Sequence, residues 1–250
     1  MNHLHIFSGA EDFAAGAAAL FTDAAAAAIR DRGRFTVALS GGGTPRPVYT
    51  RLASPEFRER ADWSRVQVFF GDERCVPPDD ARSNYRMARE TLFDPVTIPP
   101  ANVHRMHGED DPAQAALRYE QELAQTFRTP HFPPFDLVLL GLGDNGHTAS
   151  LFPGTAVLRE RERWAVAQYV EVAGMWRVTL TAPLINAARK VVFLVEGVAK
   201  AEMLFNVQHG PYQPDVWPAQ MIDPTNGELH WVLDAGAAAR LSGGPEMQAR

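Results

Sequence analysis

The sequence predicts an α/β protein: a Rossmann-like, mostly parallel sheet with helices on both faces. Three observations carry this reading. Short apolar, β-branched runs alternate along the chain with helix-period segments, the pattern of strands joined by helical crossovers. The runs are predominantly apolar, as expected of strands covered on both faces. Four polar or glycine-rich clusters, at residues 40–44, 71–74, 141–147 and 196–200, each directly follow such a run.

The elements follow in order. Residues 11–32 read as a long Ala-rich helix. FTVALS (35–40) is a strand that enters the loop SGGGTP. Thr44 at the N-cap and Pro45 at the first helical position start a helix through RPVYTRLAS. RVQVFFGDER (65–74) is a strand ending in charge, and SNYRMARETLF (83–93) a helix with Ser83 as N-cap. Residues 113–127 are an amphipathic helix, followed by the Pro-rich turn RTPHFPPF (128–135). FDLVLLGLGDNGH (135–147) is an apolar strand running into glycines. LRERERW (158–164) reads as a solvated face. Residues 177–197 offer a strand, a short helix and a strand, and 199–208 a helix. ELHWVLD (228–234) is a late strand, with Asp234 able to cap AGAAARL. There is no internal repeat and no clear linker, so residues 1–250 are expected to form a single domain.

Composition narrows the function classes. The chain has 250 residues, 46% hydrophobic and 22% charged, with ample material for a core. Its net charge of −6 argues against nucleic acid as the main partner, which usually demands a basic excess. An anionic small ligand is compatible, because a few local cations outweigh a distant negative balance. The lone cysteine, Cys75, allows no intrachain disulfide and fits a reducing compartment. It lies beside Arg74, which would lower its pKa, but has no local histidine and is read as incidental. MNHLHIFSGAEDF lacks the basic and apolar regions of a secretion signal. GAAALFTDAAAAAI is broken by Thr22 and Asp23, short of the roughly 18 apolar residues of a spanning helix. The expectation is a soluble cytoplasmic protein with no membrane partner.

The four polar clusters point to one site. Ligands of open α/β sheets bind outside the carboxyl ends of the strands, and in a parallel sheet those ends share one edge. Ser40, Gly41, Gly42, Gly43 and Thr44 precede a helix whose free N–H groups suit a phosphate. The run matches neither G-x-x-x-x-G-K-[ST] nor G-x-G-x-x-G, so ATP and NAD are poor candidates. A tight turn without ligand is the competing reading of the loop. In GDERCVPPDDARSNY, Arg74 can bind a phosphate or a carbonyl-like oxygen through its planar fork. Asp72 can orient a neighbour or act as a base, and a surface turn with internal salt bridges competes with both roles. GLGDNGHTASLFPG places His147 after a glycine turn, and an unperturbed histidine, pKa about 6.5, is the usual neutral-pH base. Asp144 or Asn145 can fix its tautomer or hold a water. Lys200, at a strand-to-helix junction, can neutralise a phosphate; Arg177 is a weaker candidate. HLH (3–5) and HRMH (104–107) are histidine pairs, but neither H-E-x-x-H nor C-x-x-C occurs, and no metal is expected. Ser150 lies outside a G-x-S-x-G elbow, against a serine-hydrolase triad.

LSGGGTP, GDERCVPPDDARSNY, GLGDNGHTASLFPG, RVTLTAPLIN and EGVAKAEML together closely resemble the 6-phosphogluconolactonase family, in the family's order. The likeness runs from about residue 7 to 241. The resemblance implies a fold shared with glucosamine-6-phosphate deaminase and ribose-5-phosphate isomerase, with no metal or nucleotide. It implies hydrolysis of 6-phospho-D-glucono-1,5-lactone to 6-phosphogluconate in the pentose phosphate pathway. It assigns the catalytic histidine to His147, the DER arginine to Arg74, the glycine loop to residues 40–44 and the late lysine to Lys200. Many relatives carry Asp-Gly-His at the histidine motif, where this chain reads Asn145, Gly146, His147 with Asp144 one place earlier. An asparagine positions groups by hydrogen bonds but does not raise histidine basicity as a carboxylate does. Deaminase activity and non-catalytic sugar-phosphate sensing are the rival functions. The expected acid limb of activity, with His147 as base, lies near about pH 6–7.

Overall fold

The computed structural model describes residues 2–243. Its strands are β1 (Asn2–Phe7), β2 (Phe35–Leu39), β3 (Val66–Phe70), β4 (Asp72–Arg74), β5 (Leu137–Gly141), β6 (Ala165–Val170), β7 (Met175–Leu180), β8 (Lys190–Val195) and β9 (Glu228–Asp234). The α-helices are α1 (Ala10–Arg32), α2 (Pro45–Leu52), α3 (Asn84–Ala88), α4 (Asp94–Val96), α5 (Pro112–Phe127), α6 (Ala182–Asn186) and α7 (Ala201–His209). A wide π turn, Arg89–Phe93, joins α3 to α4.

Six strands form one sheet in the order β1-β9-β8-β5-β2-β3, and every neighbouring pair is parallel. This is the expected α/β sheet. β2 is buried along its whole length, as is β8 after its first residue, which is why they read as unbroken apolar runs. Aromatic side chains fill the core. Phe69 stacks on His104 at 4.3 Å, and Phe193 on Trp231 at 4.1 Å. Each large side chain buried in this way contributes about 2 kcal/mol of transfer free energy.

α1 is long and apolar enough, by length and composition alone, to cross a membrane, so Thr22 and Asp23 do not break it as the sequence suggested. It buries a stripe that includes Phe13, Ala17, Phe21, Ala25 and Ala28, and it packs against β1, β2 and β9. Alanine along that stripe lets the helix approach the sheet. Gly33, with φ of 76°, ends the helix in the left-handed conformation that glycine adopts without cost.

A second, three-stranded antiparallel sheet, β4-β7-β6, was only partly legible. The run 65–74 is two strands rather than one. After Phe70 the chain passes through Gly71 and leaves the large sheet, and residues 72–74 pair with β7. Gly71 staples the sheets: its N–H donates to the Leu39 carbonyl (2.8 Å), and its carbonyl accepts from the Leu180 N–H (2.8 Å). β1 and β6 have half-exposed, mixed patterns and gave no strand signal.

Candidate active site

All four polar clusters converge on one crevice at the carboxyl edge of the large sheet. It encloses about 210 Å³, and its lining includes residues 40–45, Asp72, Arg74, residues 141–143, His147, Arg177 and Lys200. Two strand-to-loop exits supply the floor, β2 and β5, and the small sheet supplies one wall.

The glycine loop is pinned from beneath. The buried Tyr49 hydroxyl, on α2, accepts from the Ser40 N–H (3.1 Å) and donates to the Ser40 carbonyl (2.8 Å). Gly42 has a φ of 99°, which favours glycine. Pro45 stands in the first turn of α2 as expected. Thr44 occupies the N-cap position but its side chain makes no capping bond, so the first N–H groups of α2 keep their capacity for a ligand.

Asp72 and Glu73 divide their work by pleat. Glu73 is buried and accepts from Arg74 N–H (2.8 Å), Ser83 hydroxyl (3.0 Å), Asn84 N–H (2.7 Å) and Tyr85 N–H (2.8 Å). Burial still pushes its carboxyl pKa up. It is the clamp that ties the SNY segment to the DER strand. Asp72 accepts from the Ser150 hydroxyl (2.6 Å) and lies 3.5 Å from the Arg177 guanidinium. It therefore orients Ser150 and Arg177; no hydrogen bond joins it to His147. Ser83 caps α3 through the Arg86 N–H, as the sequence indicated.

Arg74 and Arg177 are direct cross-strand partners in β4 and β7. Two adjacent cations repel unless an anion lies between or beyond them. Arg177 also lies over the Phe152 ring at 5.4 Å. Burial lowers its pKa, with Asp72 acting against that and Arg74 adding to it. The Nε atoms of both arginines, the Ser40 Oγ and the Thr148 Oγ1 are buried without hydrogen-bond partners among the described residues. Such orphans are costly in an isolated protein and concentrate here around one crevice.

His147 sits on the loop after β5. Its ring stacks on Phe152 at 4.0 Å and 15°. Gly143 makes room for it: a Cβ there would lie 2.0 Å from the His147 Cε1 and Nδ1. Asn145 Oδ1 accepts from the His147 backbone N–H (3.3 Å) and lies 2.6 Å from the ring Nδ1. An amide oxygen only accepts, so Nδ1 carries the proton and Nε2 keeps its lone pair. Burial is the main cause that lowers the His147 pKa, to about 4; Asp72 pulls it up and Arg177 down. This lowering predicts an acid limb below the near-neutral one expected of an unperturbed histidine.

Asp144 does not line the crevice. It is exposed and bonded to Lys200 Nζ, which lowers the Asp144 pKa. It thus holds the lysine rather than the histidine. Arg177, the weaker candidate from sequence, is a full member of the wall. Missed were Tyr49, Asn84 and Phe152, whose roles depend on packing. Asn84 Nδ2 donates to the Asp72 carbonyl at 2.9 Å, and its Oδ1 would lie 1.8 Å from a Cβ at Gly41. Ala149 adopts φ of 47°, a strained backbone conformation beside the histidine. Cys75 has its pKa pushed up to about 11 by burial and by Glu73 and Asp111, the reverse of the effect expected from Arg74.

The geometry defines a class: an α/β protein with an anion-binding glycine loop, paired arginines and an oriented neutral histidine at one sheet edge. Residues 8–231 match the family described as glucosamine-6-phosphate isomerases/6-phosphogluconolactonase, and the chain belongs to that family. It is 48% identical over 217 residues to a 6-phosphogluconolactonase of Synechocystis, covering 86% of this chain and 88% of that one. It is 37% identical to the 6-phosphogluconolactonase of Rattus norvegicus, covering 96% and 93%. The 6-phosphogluconolactonase structure from Trypanosoma cruzi superposes with a TM-score of 0.85 at 29% identity, over 97% of both chains. A monomeric glucosamine-6-phosphate deaminase shares the fold, with a TM-score of 0.79 at 22% identity over 95% of this chain and 99% of that one.

Proposed function

We propose that this chain hydrolyses 6-phospho-D-glucono-1,5-lactone to 6-phospho-D-gluconate, a step of the pentose phosphate pathway. One observation carries the choice within the family. The His147 ring has Nδ1 occupied by Asn145 and no partner on Nε2 among the described residues, in the same crevice as two guanidinium groups whose Nε–H groups are likewise unpartnered there. That arrangement suits removal of a proton from water, with guanidinium charge at hand for the phosphate and for the developing oxyanion.

The phosphate docks on residues 40–44, with Lys200 and Arg177 supplying charge. This remote binding energy holds the lactone in one pose beside His147. His147 Nε2 takes a proton from water as the water oxygen attacks the lactone C1. Arg74 or loop N–H groups stabilise the oxyanion. When the C1–ring oxygen bond breaks, the imidazolium returns the proton to the leaving ring oxygen. The step needs no cofactor and no covalent enzyme intermediate. Asp72 keeps Ser150 and Arg177 in place, Asn145 keeps the tautomer, and Asp144 restrains Lys200.

The reading covers the chain as a single sugar-phosphate-binding domain in the cytoplasm, with neither nucleic acid nor membrane as partner. It is supported by the net negative charge and by the lack of a cysteine pair for a disulfide.

The test is hydrolysis of freshly generated lactone, coupled to 6-phosphogluconate dehydrogenase, against a blank without enzyme. The wild type accelerates ring opening, and His147→Ala lowers kcat about a hundredfold or more while retaining its circular dichroism. Acceleration that survives in His147→Ala would remove the histidine from its role. Release of ammonia from glucosamine 6-phosphate, with no lactone hydrolysis, would assign the chain to the other branch of the family.

A further inference from the structure

The amino edge of the large sheet, opposite the crevice, carries a second group of chemically able side chains. β1 is the edge strand, and it runs parallel to β9 with His3 opposite His230. Strand side chains alternate, so His3 and His5 share a face with Glu228 and His230. The sequence places HLH and ELHW more than 220 residues apart, and only the closure of β1 on β9 brings them together.

Their contacts are specific. The His3 and His230 rings stack at 4.5 Å and 21°. His230 Nδ1 lies 3.0 Å from His5 Nε2, and His230 Nε2 lies 3.0 Å from Glu228 Oε2. One nitrogen of His3, one of His230 and one carboxylate oxygen of Glu228 fall within 4.8 Å of one another. A purely structural role explains the chain from His5 through His230 to Glu228, in which each contact is a hydrogen bond. It leaves the His3 Nε2 unexplained: that atom is buried and has no hydrogen-bond partner among the described residues. An imidazole nitrogen shut away from water without a partner costs free energy, and its ring also supplies one of the three donors of the cluster.

We propose that His3, His230 and Glu228 form a binding site for a divalent transition metal of the Zn²⁺ class, with His5 as the residue that orients His230. Two imidazole nitrogens and one carboxylate are a donor set that Zn²⁺ accepts, leaving one position for water. Mg²⁺ and Ca²⁺ want six or more oxygen ligands, which this cluster does not offer. The proton count balances without release. The His230 proton now on Nε2, facing Glu228, moves to Nδ1. It then donates to His5 Nε2, whose own proton moves to Nδ1. The metal takes the place of the proton between His230 Nε2 and Glu228 Oε2. The outer hydrogen bond from His230 to His5 is the support that ligating histidines regularly have.

Two adjustments are needed. Bonds of about 2.0–2.1 Å put tetrahedral ligands about 3.3 Å apart, so the 3.0 Å gap between His230 Nε2 and Glu228 Oε2 opens slightly, and His3 rotates out of its stack on His230 to bring its nitrogen in. Lys190 Nζ lies 3.1 Å from Glu228 Oε2 and must yield the carboxylate to the ion. Lys190 is therefore a built-in competitor.

The experiment is a calorimetric titration of the chelator-treated full chain with Zn²⁺, with Co²⁺ absorption as a report of coordination geometry. The expected result is one Zn²⁺ per chain with a tetrahedral Co²⁺ spectrum. His3→Ala and Glu228→Gln each weaken binding about a hundredfold or more, and His5→Ala about tenfold. Lys190→Met tightens it. Zn²⁺ raises the melting temperature of the wild type but not that of His3→Ala. Lactone hydrolysis by His3→Ala stays at the wild-type rate, because the cluster lies at the opposite edge from the crevice. No stoichiometric binding would overturn the proposal. Binding that is undiminished in both His3→Ala and Glu228→Gln would overturn it too, by placing the ion elsewhere. Glu228 is half exposed at the start of its strand, so Glu228→Gln keeps the fold and decides the matter even if His3→Ala does not.

Discussion

At the scale of single residues, the departure at position 145 is the most informative. A carboxylate hydrogen-bonded to Nδ1 would stabilise the imidazolium. The amide of Asn145 fixes the same tautomer without adding charge. The histidine is then governed by burial against Phe152 and by the neighbouring cations, and its pKa falls to about 4. The sign for activity follows. The base is competent when neutral, so kcat/KM holds above that pKa and falls as pH drops through it. For Asn145→Asp the expected outcome is an acid limb moved upward by about 1–2 pH units. The measurement is kcat/KM from about pH 3.5 to 8 for both proteins, at constant ionic strength. A limb that stays in place in the variant would show that position 145 does not touch the proton-accepting histidine.

At the scale of elements, loops are shaped by neighbours that a linear reading does not reveal. The sequence showed that residues 141–147 follow a buried strand and contain three glycines, but not which glycine matters to the histidine. The structure picks out Gly143, because the His147 ring occupies the space a Cβ would need. Gly143→Ala is expected to displace the ring and lower kcat about a hundredfold with little change in the urea midpoint. An unchanged kcat would mean that the ring shifts without consequence for the chemistry. The same distinction separates what was legible from what was not. Ser83 as a cap and residues 113–127 as an amphipathic helix are local properties, and the sequence carries them openly. The split of residues 65–74 into β3 and β4 is a tertiary choice. Val66 to Phe70 satisfy the large sheet, whereas Asp72 to Arg74 find their ladder partners in β7, about a hundred residues on. Nothing local to Glu73 marks it as buried, and only the fold supplies the four donors that hold it there.

At the scale of the whole molecule, the parallel sheet separates chemistry from anchoring. Convergence of four distant clusters on one edge was predictable, because strands of one direction share a carboxyl end. The anchors at the opposite edge were not, because they are single residues with no motif. Asp136, just before β5, is the clearest. It is buried and accepts from the Thr36 N–H (2.8 Å), the Thr36 hydroxyl (2.9 Å) and Arg32 Nε (2.9 Å), with Arg189 Nε 3.6 Å away. It therefore ties the end of α1, the start of β2 and the approach to β8 to one carboxylate. Asp136→Ala would leave the Thr36 N–H buried without its acceptor and two arginines without their anion. The expected loss is about 3 kcal/mol of stability, read from the urea midpoint. Asp136→Asn, which keeps an acceptor for Thr36 but no charge for Arg32, should fall between wild type and alanine. Because these contacts lie at the amino edge, kcat per folded molecule should match the wild type in both variants. A fall in kcat without a fall in stability would show that the two edges of the sheet are coupled, and that the crevice depends on more than the loops that line it.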